Sequence, residues 1–217
     1  MGMDILCLQE VEADVFDALR AGLAGLGYSG THAMKDRGRP DGCATFFCSA
    51  RFTLLADRRM AYSDGDGGVD SGSILQLLLL GHEGKRLEIA NTHLKWDPPE
   101  TPRERKLGYR QIVQVIDALT PETSAPDGQI LCGDFNVAPE SDVIEALLAD
   151  GFDYAHRHCS GAVTCNSDKR PKLIDHLFYR GSLRARPIPP AKVDAETPLP
   201  SPDQPSDHVP LAAEFDW

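Results

Sequence analysis

Five short apolar runs in this chain end in, or run into, the same kind of polar cluster. Gln9-Glu10 closes DILCLQE, Thr92-His93-Leu94 closes LEIANTHL, and Gly133-Asp134-Phe135-Asn136 closes QILCGDFN. Ile174-Asp175-His176 flanks the run in KLIDHLFY, and Ser206-Asp207-His208 leads into VPLAAEF. Runs of this length read as buried strands bounded by turns. A carboxylate beside such a strand must be solvated, hydrogen-bonded, paired or placed on a metal. Singly, each cluster has a structural explanation: Asp and Asn are ordinary turn residues, and a His after a strand is often a surface residue. Repetition at five strand ends points further, because the ends of several strands on one rim can converge on one rigidly held site.

The segments between these runs set the architecture. ADVFDALRAGLAGLGY places Val15, Leu19, Leu23 and Leu26 on one helical face, with Gly27 as its stop. PRERKLGYRQIVQVIDAL predicts a helix with Pro102 in its first turn and Leu107, Ile112, Val115, Ile116 and Leu119 mostly inward. SDVIEALLADG predicts a short helix capped by Ser141 and stopped by Gly151. GCATFFCSARFTLLADR predicts two strands around a turn at residues 49–51. SILQLLLLGHEGKRLEIANTHL predicts a hairpin turning at residues 82–84. The proline-rich stretch after residue 184 predicts an irregular loop with one short strand at residues 191–193. Strands and helices do not alternate strictly, which favours two mostly antiparallel sheets packed together with helices outside. The 217 residues carry no internal repeat or linker, so 1–217 reads as a single α+β domain.

Charge and cysteine content narrow the function classes. A formal net charge of −11 argues against broad, salt-driven binding to nucleic acid, but not against local basic patches or a divalent cation. Six cysteines without a C-x-x-C pair, and without zinc-type Cys/His spacing, predict a reduced, cytoplasmic protein. No apolar run reaches membrane-spanning length, so no membrane partner is expected. The first residues turn acidic too soon for a signal peptide.

In the order LQE, THL, GDFN, IDH and SDH, the chain resembles the endonuclease/exonuclease/phosphatase superfamily. PDGCATFF and NTHLKWDP are similar to the nocturnin and carbon-catabolite-repressor deadenylase branch. The resemblance spans nearly the whole chain and implies a four-layer α/β/β/α sandwich. It implies Glu10 as holder of a divalent metal, Mg²⁺ or alternatively Mn²⁺. Asp134 would orient or deprotonate the attacking water, with Asn136 beside it. His93 and His208 would stabilise charge on phosphate oxygens, and Asp175 would orient His208. Asp207 would bind a second metal or support the first. These residue types suit phosphoester hydrolysis, which needs phosphoryl charge neutralised and a water in line.

The match departs at two places. Family members begin with one more strand and helix, whose strand carries an Asn that helps to hold the metal. Only Met1-Gly2-Met3 precedes Asp4 here, so 1–217 is expected to be an N-terminally short form of the domain with an open edge on the LQE strand. The missing strand and Asn would come from residues upstream of this start or from a neighbouring chain, or be dispensed with in a degenerate sheet. His176 stands where the branch often has an aromatic, and it is expected to pack beneath the site. For substrate, the basic islands KDRGRPDG, SDKRPK and RERK offer Lys35, Arg37, Arg39, Lys169, Arg170 and Lys172 for phosphate contact, and Trp96 offers a base-stacking face. The expectation is a 3′-exonuclease of the deadenylase type on RNA or short oligonucleotides. The alternatives are a phosphatase or phosphodiesterase for a small phosphorylated nucleotide or metabolite, and a catalytically weakened binding domain. Oligomeric state is not legible.

Overall fold

The structure, a computed structural model, describes residues 2–65, 67–120, 125–159, 161–167 and 169–217. The chain opens with β1 (Ile5–Glu12), α1 (Ala13–Ala24), β2 (Tyr28–Met34) and β3 (Asp41–Cys48). These strands form an antiparallel sheet in the order β1-β3-β2. Next come β4 (Thr53–Ala61), β5 (Ile74–His82), β6 (Lys85–His93), α2 (Leu107–Leu119), β7 (Gly128–Asp134) and α3 (Asp142–Ala149). The chain closes with β8 (Asp153–Tyr154), β9 (Cys165–Ser167), β10 (Arg170–Lys172), β11 (Asp175–Gly181), β12 (Arg184–Ile188) and β13 (Ala212–Asp216). The main sheet has six strands in the order β4-β5-β6-β7-β11-β8, while β9-β10 and β12-β13 form two-stranded ribbons. All pairs are antiparallel except β6 with β7, between which α2 makes the crossover that a parallel connection needs.

Alternation along the strands separates the layers. On β5, Leu75 and Leu77 face one way, against Ile112, Val115 and Leu119 of α2 and Ile144 and Leu147 of α3. Leu78 and Leu80 face the other way, in a cluster with Phe47 of β3, Ile5 and Cys7 of β1, and Phe215 and Trp217 at the C-terminal strand. On the far side of the small sheet, Phe46 and Val11 meet Phe16, Leu19 and Leu23 of α1. The result is the expected order of helices, sheet, sheet and helix. Among the described residues β1 pairs only with β3. Ile5, Leu6, Cys7 and Leu8 are correspondingly only half-buried.

Several expectations are corrected. Val15 and Leu26 are exposed at 47% and 73%, since the inward stripe of α1 is set by Phe16 rather than Val15. α2 begins at Leu107, and the residues after Pro102 form a single 3₁₀ turn. The two strands around the turn at 49–51 are present as β3 and β4, and because they belong to different sheets that turn links the layers. Residues 191–193 form no strand; the strand lies earlier, at β12, where Pro187 is tolerated because β12 is an edge strand. β2 was not expected, because YSGTHAM lacks an apolar alternation.

Candidate active site

The main sheet lines up three of the sequence clusters on one rung. His93 is the last residue of β6 and lies beside Asp134, the last of β7; Asp134 in turn lies opposite Asp175, the first of β11. Ladder bonds continue just past the rung, from Leu94 N to Asp134 O at 2.9 Å and from Phe135 N to Ile174 O at 2.9 Å. Register alone therefore gathers an imidazole and two carboxylates from segments about 40 residues apart. His208 joins from the loop before β13: its Nδ1 donates to Asp175 Oδ2 at 2.7 Å.

The GDFN segment is shaped residue by residue. A Cβ at Gly133 would sit 1.8 Å from Thr92 O, so no side chain fits where β7 crosses β6. Phe135 is fully buried and stacks on Phe178 at 5.9 Å, anchoring the turn. Asn136 has φ +55, and its backbone N donates to Asp134 Oδ1 at 2.8 Å. Its Nδ2 lies 3.1 Å from His93 Nε2 and donates to Leu94 O at 3.0 Å. Beneath, buried His176 accepts from Tyr154 Oη at 3.0 Å and donates to Val137 O at 2.8 Å, so it packs under the site as anticipated.

Glu10 reaches the rung through a bulge. Pairing of β1 with β3 shifts register between Leu8 and Val11, and Glu10 takes φ +56. Such a conformation costs about 1 kcal/mol or more for a residue with a Cβ, and bulges re-aim side chains. Asn91 of β6 clamps the bulge, accepting from Gln9 Nε2 at 2.7 Å and donating to Leu8 O at 3.1 Å. Glu10 Oε1 then lies 3.7 Å from His93 Nδ1, while Asp134 Oδ2 lies 3.5 Å from Nε2, so the two carboxylates flank one imidazole.

The electrostatics follow from burial and charge crowding. Burial, with Lys35 nearby, pushes His93 down to about 4, so the ring is neutral at pH 7. Asn136 donates to Nε2, which leaves the proton on Nδ1, a buried atom without a hydrogen-bond partner that faces Glu10. Burial and the adjacent Asp175 raise Asp134 to about 7, against the lowering pull of His208 and the Asn136 N–H, and Glu10 raises it further. Burial alone would lower His208; its hydrogen bond to Asp175, with the charges of Asp175 and Asp134, reverses this and holds it at about 9. Repelling carboxylates and the oxygen atoms of Glu10, Asp134 and Asn136 form a set that fits a hard divalent cation.

The sequence profile described as the Endonuclease/Exonuclease/phosphatase family matches residues 2–208. The chain belongs to this family. Its members' hydrolases act on phosphoester bonds, and divalent-metal dependence is general among them. Among curated relatives, protein angel homolog 2 of Mus musculus is 32% identical over 162 residues, 70% of this chain and 29% of its own length. Nocturnin of Xenopus laevis is 27% identical over 244 residues, 99% of this chain and 61% of its own length. The chain thus spans less than two thirds of these relatives. Among solved structures, the human nocturnin catalytic domain with bound sulfate superposes with a TM-score of 0.74 at 25% identity, covering 98% of this chain and 80% of that one. ANGEL2, described as a 2′,3′-cyclic phosphatase, gives 0.78 at 22% identity, covering 98% and 81%.

Within this family member, the His93 end of the rung lines a cleft of about 490 Å³, walled by Glu10, Lys35, Arg39, Trp96 and Asn136 among others, while Asp134, Asp175 and His208 are not part of its wall. Trp96 is 59% exposed there, and Lys35 pairs with Asp41. Arg37 is not part of the cleft wall. Lys169, Arg170 and Lys172 lie on or beside the exposed strand β10 and are not part of the cleft wall, with Lys169 3.5 Å from Glu196. Asp207 is exposed and sits beside His208 and Cys165. Sequence reasoning missed Lys95, which lines the cleft and whose ammonium is lowered by burial and by Arg39 and Lys35. The signal lay in the neighbouring aspartate. Asp97 caps α2 by accepting from Leu107 N at 2.9 Å and Gly108 N at 2.8 Å, and Gln111 accepts from Lys95 N at 2.8 Å. The KWD stretch is thereby fixed to a helix end. Among the described residues no helix is long and apolar enough to cross a membrane.

Proposed function

We propose that the chain is a divalent-metal-dependent phosphoesterase that hydrolyses a phosphodiester at the end of RNA or of a short oligonucleotide, in the manner of a 3′-exonuclease of the deadenylase type. The observation that carries this reading is the His208–Asp175 pair at 2.7 Å, set on the same rung as Asp134 and His93. A cationic imidazole held by a carboxylate suits a phosphoryl oxygen that gains negative charge. Asp134, raised to about 7, suits orienting a water and taking its proton near neutral pH. The His93 Nδ1–H, without a partner of its own, adds a donor for a further oxygen, and Asn136 Nδ2 fixes that tautomer by donating to Nε2. Mg²⁺, or Mn²⁺ in its place, held chiefly by Glu10, would supply charge neutralisation at the phosphoryl group.

A second reading is a phosphatase or phosphodiesterase for a small phosphorylated nucleotide. The cleft volume supports it, because about 490 Å³ is the size of a small-molecule site and Lys35, Arg39 and Lys95 line it. The adenosine-2′,3′-vanadate complex of ANGEL2 illustrates such a ligand on this fold. Both readings are tested by one panel: oligo(A), abasic DNA, a dinucleotide 2′-phosphate, a nucleoside 2′,3′-cyclic phosphate and a generic phosphodiester, each with Mg²⁺ or Mn²⁺. Turnover that needs the metal and is lost in Asp134→Asn supports the enzyme reading, and the preferred substrate ranks the two. No turnover on any member leaves a binding domain and refutes both.

A further inference from the structure

The Cys165 thiol takes no part in the chemistry above, yet it lies against it. Cys165 begins β9 and forms an antiparallel backbone bridge with His208, extended by the Val209 N–H bond to Thr164 O at 2.7 Å. Residues opposed in such a bridge present their side chains to the same side. A sulfur of Cys165, a ring nitrogen of His208 and a carboxylate oxygen of Asp207 lie within 4.8 Å of one another. Cys165 is buried, His208 half-buried and Asp207 exposed. We propose that these three residues bind a thiophilic divalent cation, with Zn²⁺ the best match, and that its binding withdraws His208 from phosphoester chemistry. The withdrawal rests on the proposed function; the binding does not.

The donor chemistry separates this site from the one around Glu10. Mg²⁺ takes oxygen ligands, whereas one thiolate, one imidazole and one carboxylate are a zinc set with a fourth position left for water. Tetrahedral ligands around zinc sit roughly 3.3–3.8 Å apart, so the three atoms must close by about 1 Å, and the exposed Asp207 side chain is free to do so. Asp175, hydrogen-bonded to Nδ1, already steadies the ring as carboxylates do behind metal-bound histidines. Ser167 Oγ, 3.0 Å from the sulfur, is placed to donate to a thiolate. On binding, the thiol proton of Cys165 and the Nε2 proton of the His208 imidazolium leave to solvent, Nδ1–H stays on Asp175, and the sulfur–metal and nitrogen–metal bonds form with no change of oxidation state. Cysteine spacing gave no hint of this set, because residues 165 and 207–208 meet only through the bridge.

Co²⁺ is the probe for the site. One equivalent added to the full chain is expected to give a thiolate-to-cobalt band in the near ultraviolet that Zn²⁺ displaces and excess Mg²⁺ does not. Cys165→Ser and Cys165→Ala, checked for folding by near-UV circular dichroism, are expected to lose the band. Its persistence in a folded variant would assign it to one of the other five cysteines and overturn the site. Zinc K-edge absorption on the unmodified protein needs no variant: one sulfur at about 2.3 Å with nitrogen and oxygen neighbours is expected. A shell without sulfur, or with several, refutes the proposal. In Mg²⁺-supported hydrolysis, Zn²⁺ should inhibit the unmodified protein at a concentration more than about tenfold below that needed for Cys165→Ser, since even an outer-shell partner is worth 10–100-fold in affinity. Equal sensitivity refutes the withdrawal of His208. If no phosphoester is turned over, the proposed function fails, while the cobalt and edge signals still decide the site.

Discussion

Replacing Asp175 by Asn tests the electrostatics of the rung without changing its shape. Burial lowers the His208 imidazole, and Asp175 is the main group that lifts it, through the 2.7 Å bond and its charge, to about 9. With the charge gone and burial retained, the ring should titrate at or below its ordinary 6.5. The gap between 6.5 and about 9 is worth at most about 3.4 kcal/mol. The ring is 24% exposed, and solvent screening reduces the useful part to about 1–2 kcal/mol. The sign follows from a folded-state pKa raised above the unfolded one. This stability is fully present below pH 6.5 and is lost as pH rises through about 9. Asp134, also raised, acts in the window from 3.8 to about 7, below a comparison of pH 7.5 with 9.5. The Cys43 thiol, pushed up to about 12 by burial, and the Cys132 thiol, raised by its hydrogen bond to Cys7 and by burial, add a loss in that range which Asp175→Asn shares. Histidine NMR of the metal-free protein gives the titration directly, and urea melts at the two pH values give the energy. Between them the unmodified protein should lose about 1 kcal/mol more than Asp175→Asn, and that difference is the part His208 carries. A His208 midpoint that stays near 9 in the variant would refute the coupling.

Three further outcomes are expected. The kcat/KM profile should be bell-shaped, falling above about pH 9 as His208 loses its proton and falling on the acid side at or below about 7, where Asp134 protonates; a profile that keeps rising past pH 10 contradicts the role of His208. Gly133→Ala should cost at least about 3 kcal/mol in denaturant melts, because its Cβ would overlap Thr92 O; a loss under 1 kcal/mol would show that β7 shifts freely against β6. Asp97→Ala should cost about 1 kcal/mol for the lost cap on α2. It should also raise KM more than it lowers kcat, since Lys95 and Trp96 lose their anchor; unchanged kinetics would remove the KWD stretch from substrate binding.

Much of this was legible in the chain because strand ends announce themselves. GDFN, THL and IDH sit where apolar runs stop, and the rung His93–Asp134–Asp175 confirms that those stops share a level. The register itself was not legible, because the parallel β6–β7 pair depends on a crossover by α2 that no local pattern encodes. β2 escaped notice because one of its inward groups is polar: Thr31 accepts from Gln76 in a buried network with Thr45, so an apolar alternation was never needed. β12 was hidden by Pro187, which an edge strand tolerates. Val15 was assigned inward from spacing alone, but three- and four-residue spacing cannot tell the centre of a stripe from its border. Glu10 was read as an acid closing its strand, whereas β1 runs on to Glu12 and Glu10 sits in a bulge inside it with a left-handed backbone, neither of which was legible.

The central claim is that Glu10 and Asp134, brought to opposite nitrogens of His93, share a site with the His208–Asp175 pair that works through a hard cation. Anomalous diffraction from crystals soaked in Mn²⁺ tests it most directly. The account predicts an anomalous peak within about 2.3 Å of a Glu10 carboxylate oxygen, on the cleft side of His93. A peak elsewhere on the molecule with none at Glu10, or no ordered Mn²⁺ at saturating concentration, would contradict it.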